Sequence, residues 1–277
     1  MSTLIIKASG EKVPFSAEKL RQSLKRSGAD EAYIDKVVQE IQDNLYEGIS
    51  THEIFKNAFA HLGKYSKHFA SRYKLKQAIM ELGPTGFPFE VFVSELLKAQ
   101  GFKTTVGSIL QGHCVTHEVD IIAEEADKLF MVECKFHNLR GVKCDVKVPL
   151  YIKSRFDDIV KRWITHPEHG AKFHQGWVVT NTHFSDDAIQ YGTCAGLNLL
   201  GWDYPKGKGV KDWIDSLTLY PITCLTSLTK GERELLLSKK IILCTDLLHN
   251  KSILTSMGIS PDRVDIIIKD CTSILKR

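Results

Sequence analysis

Glu133 and Lys135 stand two residues apart at the end of the apolar run Leu129-Phe130-Met131-Val132. In an extended strand both side chains leave the same face, while Cys134 between them points to the other. Placing a carboxylate and an ammonium at the end of an otherwise apolar strand is costly unless they are paired or hold a metal. A second acidic run, His117-Glu118-Val119-Asp120-Ile121-Ile122, lies a short loop upstream. Acids at the ends of two β-prone runs, with a lysine beside them, can hold a divalent metal and orient a water. Glu118 and Asp120 are also two apart, so spacing leaves open which of them belongs to the set. The plain alternative for Glu133 and Lys135 is a solvated salt-bridged pair.

The elements around these residues must position them. Gly83-Pro84-Thr85-Gly86 is a strong chain break and marks a domain boundary, with a second domain over 84–220. Phe87-Pro88-Phe89-Glu90 opens a helix whose buried face is Phe89, Phe92, Val93, Leu96 and Leu97, ending at Gly101. Strands then follow at Lys103–Val106, at Asp120 and at Glu133. A long helix spans about Asp145 to Thr165, the apolar strand Gly176–Thr180 comes next, then a helix after Ser185 and a short strand at Leu197–Leu200. The order is α-β-β-β-α-β, which predicts an α/β domain. Basic and aromatic residues gather after Lys135: Arg140, Lys143, Lys147, Lys153, Arg155, Lys161 and Arg162, with Tyr151, Phe156 and Trp163. Lys147, Tyr151 and Arg155 fall at i, i+4 and i+8, so they line one helix face that suits a DNA backbone. A solvated charged face is the plain alternative.

That order with these acids resembles the PD-(D/E)XK nuclease superfamily, and within it the Mrr-type restriction endonuclease domain. The residues that carry the resemblance are Gly86-Phe87-Pro88-Phe89-Glu90, His117-Glu118-Val119-Asp120, Glu133-Cys134-Lys135 with His137-Asn138 behind it, and Val179-Thr180-Asn181. It implies a central mixed sheet and a metal-dependent DNA endonuclease. It selects Asp120 over Glu118, and implies that Asp120, Glu133 and the Cys134 backbone carbonyl hold Mg²⁺ or Mn²⁺. Lys135 is then the group that orients and helps deprotonate the water, and Glu90 the helical acid beside the metal. His117, near the acids, is expected within reach of substrate. RNA or branched DNA would use the same site.

Upstream, Leu4–Lys7 and Lys12–Phe15 read as two short strands around Ser9-Gly10, followed by helices. Ser16 is an N-cap candidate, Ser50-Thr51-His52-Glu53 has the form of a capping box, and a long helix is predicted from about Ser66 to Leu82. Lys7, Phe15-Ser16-Ala17-Glu18-Lys19-Leu20, Gly48-Ile49-Ser50-Thr51 and Ala70-Ser71-Arg72-Tyr73 together are similar to the ATP-cone, a small nucleotide-binding module, over residues 1–83. The similarity implies that Lys7, Lys19 and Thr51 contact ATP or dATP acting as an effector, in keeping with lysines and a helix N-terminus as phosphate partners. Ala8 and Phe55 depart from that pattern, standing where family members carry an arginine and a histidine.

Residues 221–277 read as short amphipathic helices about Glu232–Leu237, Cys244–Leu248 and Ile253–Met257, then a last helix from Pro261. Asp246-Leu247-Leu248, Leu254, Gly258-Ile259 and Val264 resemble helix-hairpin-helix or SAM-like modules; packing or dimerisation are the other uses of such a tail. At 43% hydrophobic and 25% charged the composition is globular, and a net charge of +4 allows an anionic partner without demanding one. Seven cysteines without a CxxC pair point away from a disulfide framework, and the spacing of His113, His117 and His137 with Cys114, Cys134 and Cys144 fits no common zinc motif. No run is long and apolar enough for a membrane span, so a cytoplasmic protein is expected, with DNA and nucleotide as partners and a homo-oligomer allowed for. The alternative function is a nucleotide-responsive DNA-binding or assembly protein whose nuclease fold is not used catalytically.

Overall fold

A computed structural model describes residues 3–139, 141–164 and 173–276. Arg140 and Thr165, named above, lie outside the described residues. The chain divides into two compact units, one of residues 1–81 and 220–277 together with Leu139 and Gly141, the other of residues 82–138 and 142–219.

The first unit begins with an antiparallel pair, β1 (Leu4–Ile6) and β2 (Lys12–Pro14). Then come α1 (Ala17–Arg26), α2 (Glu31–Asp43), α3 (Thr51–Tyr65), α4 (Lys67–Tyr73) and α5 (Leu75–Met80). Side-chain caps start the helices where the sequence asks for them: Ser16 accepts from the Lys19 N–H, Asp30 from Tyr33 and Ser50 from Glu53. Their apolar stripes close over one core of Leu20, Leu24, Ile34, Val37, Val38, Ile41, Ala58 and Leu62. The helix predicted from Ser66 to Leu82 is interrupted at Lys74, although its ladder continues, since the Lys74 N–H bonds the Ala70 carbonyl and the Ala78 N–H bonds that of Lys74. Phe55, a departure from the nucleotide-binding pattern, is taken up in a ring stack with Phe59 and Tyr73.

The second unit opens with α6 (Phe87–Ala99), which buries Phe89, Phe92, Val93, Leu96 and Leu97. Next are β3 (Lys103–Gln111), β4 (Thr116–Glu125), β5 (Lys128–Lys135), the two-residue β6 (Lys143–Cys144), α7 (Lys147–Ile164), β7 (Phe173–Thr180), β8 (His183–Phe184), α8 (Asp186–Cys194), β9 (Asn198–Leu200) and α9 (Val210–Leu217). The sheet order is β3-β4-β5-β7-β9, antiparallel from β3 to β5 and parallel from β5 to β9. This α/β domain with a mixed central sheet has the PD-(D/E)XK architecture. Strand β3 runs past its predicted end at Val106, because Gly107 takes a left-handed φ of +69° within the strand while the pairing continues from Val106↔Ile121 to Ser108↔Val119. The core on one side of the sheet joins Val119, Met131 and Val178 to Ile152 and Ile159 of α7 and Ala188 of α8.

The chain then returns to the first unit with a 3₁₀ turn at Ile222–Cys224, α10 (Lys230–Ser238), α11 (Cys244–His249), α12 (Ser252–Ser256) and α13 (Pro261–Leu275). The 3₁₀ turn packs on α5 and α13 on α4, while α11 and α12 pack on α13. Buried Lys74 donates to Glu81 at 2.9 Å and to the Thr223 carbonyl at 3.2 Å, and the Thr223 hydroxyl donates to the Ala78 carbonyl at 2.7 Å. Arg72 donates to the Ile274 carbonyl near the end of α13, at 3.0 Å through Nη2. No helix among the described residues is long and apolar enough to cross a membrane.

Asp270 of α13 is 8% exposed, and its Oδ2 accepts from the Thr226 N–H at 3.1 Å, the Ser227 N–H at 3.1 Å and the Ser227 hydroxyl at 2.8 Å. Asp270→Ala removes the acceptor from these donors at once. The expected cost is about 2–3 kcal/mol, read as a lower urea midpoint for the first unit; an unchanged midpoint would show that the loop finds other acceptors.

Candidate active site

Strands β4 and β5 are paired from Glu125↔Lys128 to Ile121↔Val132. The next residue on each strand is an acid, Asp120 and Glu133. Beyond that point β5 keeps its parallel pairing with β7 as far as Lys135↔Thr180. The Cys134 N–H, on the side that β4 has left, donates instead to Asp120 Oδ2 at 2.7 Å. The carboxylate therefore sits at the sheet end as a substitute for a ladder carbonyl. The Thr180 hydroxyl donates to the Lys135 carbonyl at 2.8 Å, and Asn181 both accepts from the His137 N–H at 2.9 Å and donates to its carbonyl at 2.8 Å. Those contacts fix the backbone from the Lys135 carbonyl to His137.

Glu133 is buried, with Lys135 Nζ 3.2 Å from Oε1 and Arg155 Nη1 2.6 Å from Oε2. Glu133 and Lys135 therefore share a face, and Cys134, also buried, has its thiol held well above the usual range by desolvation. Glu90, in the first turn of α6, completes the acidic group. Burial first, then the charges of Asp120, Glu118 and Glu133, push its carboxyl up to about 7. Asp120 is raised to about 6 by burial and then by Glu133, against the opposing pull of the Cys134 N–H, Lys135 and Arg155. Glu118 is exposed.

The donor set suits a hard divalent cation. Two carboxylates and a backbone carbonyl offer oxygen donors, the kind Mg²⁺ takes in small number while keeping several waters. The crowding that raises Glu90 and Asp120 is what such an ion relieves. Among the described residues no three His, Cys, Asp or Glu side chains form a metal-holding group by themselves.

The remaining expected site residues are placed as follows. Tyr151 is exposed, and the Arg155 guanidinium lies over its ring at 5.3 Å, so these two share a face of α7; Lys147 is exposed in the first turn. Arg155 is turned inward against Glu133, which the helical spacing could not show. His117 is 9% exposed and its Nε2 lies 2.8 Å from Asp158 Oδ2, so it braces the hairpin and is not held out to a substrate. In the first unit, Ile6 bridges Ser50, which brings Lys7 and Thr51 into neighbouring registers at the start of α3. Lys19 stands in the first turn of α1. Lys7 Nζ rests on Glu11 in an exposed pair at 2.8 Å.

Sequence reasoning missed Asp158. On α7 it meets His117, whose contact does most to hold its carboxyl well below the usual range, and it also accepts from the Cys114 N–H at 2.8 Å and the Val115 N–H at 3.3 Å. It fastens the β3–β4 turn to the helix that carries Arg155. The sequence signal there is slight: Gly112 and His113 at the turn, with His117 four residues on.

Three families match the chain: ATP cone domain over residues 3–79, restriction endonuclease over 84–203, and AF1548-like, C-terminal, over 220–275. An uncharacterised protein of Archaeoglobus fulgidus is 33% identical over 184 residues, which is 66% of this chain and 99% of that protein. A crystal structure titled protein of unknown function AF1548 is 32% identical with a TM-score of 0.57, covering 69% of this chain and 98% of that one.

A Cβ at Gly112 would fall 2.1 Å from Asp158 Oδ2 and 2.7 Å from the Val115 carbonyl oxygen. Gly112→Ala is expected to push the turn off Asp158 and to speed amide exchange at Cys114 and Val115. Hydrogen exchange checks this, and unchanged protection contradicts it.

Proposed function

Because the chain belongs to the family of the Archaeoglobus fulgidus protein and itself carries an ATP cone domain, a restriction endonuclease domain and an AF1548-like C-terminal domain, we propose that it is a metal-dependent DNA endonuclease. The observation that carries the reading is the meeting of Asp120 and Glu133 where β4 and β5 part, with Lys135 Nζ on Glu133. Asp120, Glu133 and the Cys134 carbonyl would hold Mg²⁺ or Mn²⁺. When bound, the ion supplies neutralising charge at the phosphate and acidifies a water. Lys135, partly exposed beside Glu133, orients that water and takes part in removing its proton. Glu90 bounds the site from α6 and offers the water a hydrogen bond. Lys147 and Tyr151, both exposed on α7, meet the DNA backbone, and Arg155 joins them once it leaves Glu133.

ATP or dATP acts as an effector bound through Lys7, Lys19 and Thr51. The exposed Lys7–Glu11 pair contributes little to stability, so Lys7 can exchange it for a phosphate at small cost. The nucleotide biases the arrangement or assembly of the protein and is not hydrolysed. The other reading, a nucleotide-responsive DNA-binding protein with an idle nuclease fold, is separated from this one by catalysis.

Cleavage of linear, supercoiled and branched DNA should require Mg²⁺ or Mn²⁺, and Asp120→Ala and Lys135→Ala should each lower its rate by about a hundredfold or more. A wild-type protein that binds DNA but cuts none of these forms, with or without ATP or dATP, returns the idle-fold reading. Lys7→Ala should weaken dATP binding about tenfold, the size of one charge-assisted contact. Calorimetry on the full chain measures this, and unchanged affinity would remove Lys7 from the nucleotide site.

A further inference from the structure

Both oxygens of Glu133 are engaged by cations, and the two cations differ in kind. Lys135 reaches Oε1 from the same strand with its side chain 36% exposed. Arg155 reaches Oε2 from α7 with its side chain 11% exposed, against 6% for Glu133. The second arm of the Arg155 fork donates to the Glu118 backbone carbonyl on β4. Its plane is backed by Tyr151, with Cζ 5.3 Å from the ring centroid. One guanidinium thus ties β4 to β5 beyond Ile121↔Val132, where their own ladder has ended. A lysine, as a point charge on a flexible stem, cannot make that two-armed bridge.

We infer that Arg155 is a positioning residue that serves as the resident cation on Glu133 and gives up this contact when a divalent ion enters. The inference rests on the reading of Asp120 and Glu133 as metal ligands. With neither an ion nor Arg155, Glu133 would stand nearly enclosed beside Asp120 with only Lys135 to pair with it; Arg155 supplies the second partner and aims the carboxylate while holding the strand spacing. A divalent ion and a guanidinium on one carboxylate repel, so ion entry weakens the Arg155–Glu133 contact while the Glu118 arm keeps the residue local. The released Nη1 arm is then a charge-assisted donor for a phosphate oxygen. Arg155 thereby couples filling of the metal site to the presentation of a phosphate-binding group.

The test is Mn²⁺ binding to the full chain without nucleic acid, measured by calorimetry, together with thermal unfolding with and without Mn²⁺. Arg155→Met should lower the metal-free Tm, bind Mn²⁺ about tenfold more tightly because a charge-assisted competitor is gone, and regain most of the lost Tm when Mn²⁺ is added. Arg155→Lys should fall between wild type and Arg155→Met. Tyr151→Ala, which loosens the guanidinium and keeps its charge, should move both readouts in the same directions by less, and carries the test if Arg155→Met does not fold. Weaker or unchanged Mn²⁺ affinity in these variants, whatever their metal-free Tm, overturns the inference while wild-type binding preserves the metal site. Mn²⁺ binding to neither wild type nor Arg155→Met removes the site and the inference together; binding to Arg155→Met alone supports the competitor role.

Discussion

Strands β4 and β5 separate after Ile121↔Val132, and an acid follows at once on each strand. Everything at the candidate site depends on how those two carboxylates are kept at a sheet end with little water around them. Burial raises Asp120 to about 6 and Glu90 to about 7, so the protein meets a real cost in bringing these groups together. Against it stand the Cys134 N–H on Asp120, and Lys135 and Arg155 on Glu133. Breaking a buried pair of this kind by removing one partner costs about 3–5 kcal/mol, yet replacing the whole pair with apolar residues of similar volume is often neutral or stabilising. Stability alone therefore does not explain the cluster.

The supports of the site come from three directions. From β7, Thr180 and Asn181 hold the backbone of Lys135 and His137. On α7, Asp158 holds the β3–β4 turn and Arg155 spans the gap between β4 and β5. Helix α6 supplies Glu90 at its first turn above a face of fully buried apolar side chains. The first unit has its own internal logic: the last helices of the ATP cone domain and the C-terminal elements are joined by buried polar contacts from Lys74 and Thr223 and a half-buried one from Arg72. Such contacts have directional geometry that apolar packing lacks, so they fix which surfaces of α4 and α5 meet the 3₁₀ turn and α13.

Much of this was legible in the sequence. Period-two and helical apolar patterns give the α-β-β-β-α-β order, the caps at Ser16 and Ser50 mark helix starts, and the i, i+2 spacing places Glu133 and Lys135 on one face. What stayed hidden depends on the third dimension. Helical spacing puts Arg155 beside Tyr151 but cannot say that its fork reaches inward to two strands. His117 reads as a residue near the acids until Asp158, forty-one positions later in the chain, is seen to hold it. Gly107 reads as a strand end because propensity ignores a register that both neighbouring pairs maintain. Lys74 reads as one more residue of a long helix, since its partners Glu81 and Thr223 are set by the fold.

The central claim is that Asp120 and Glu133 hold one divalent ion together. Anomalous diffraction from crystals of the full chain soaked in Mn²⁺ tests it directly. A single strong peak between the two carboxylates, beside the Cys134 carbonyl, is the predicted result. The absence of a peak there, with both carboxylates still held by Arg155, Lys135 and the Cys134 N–H, would contradict the account.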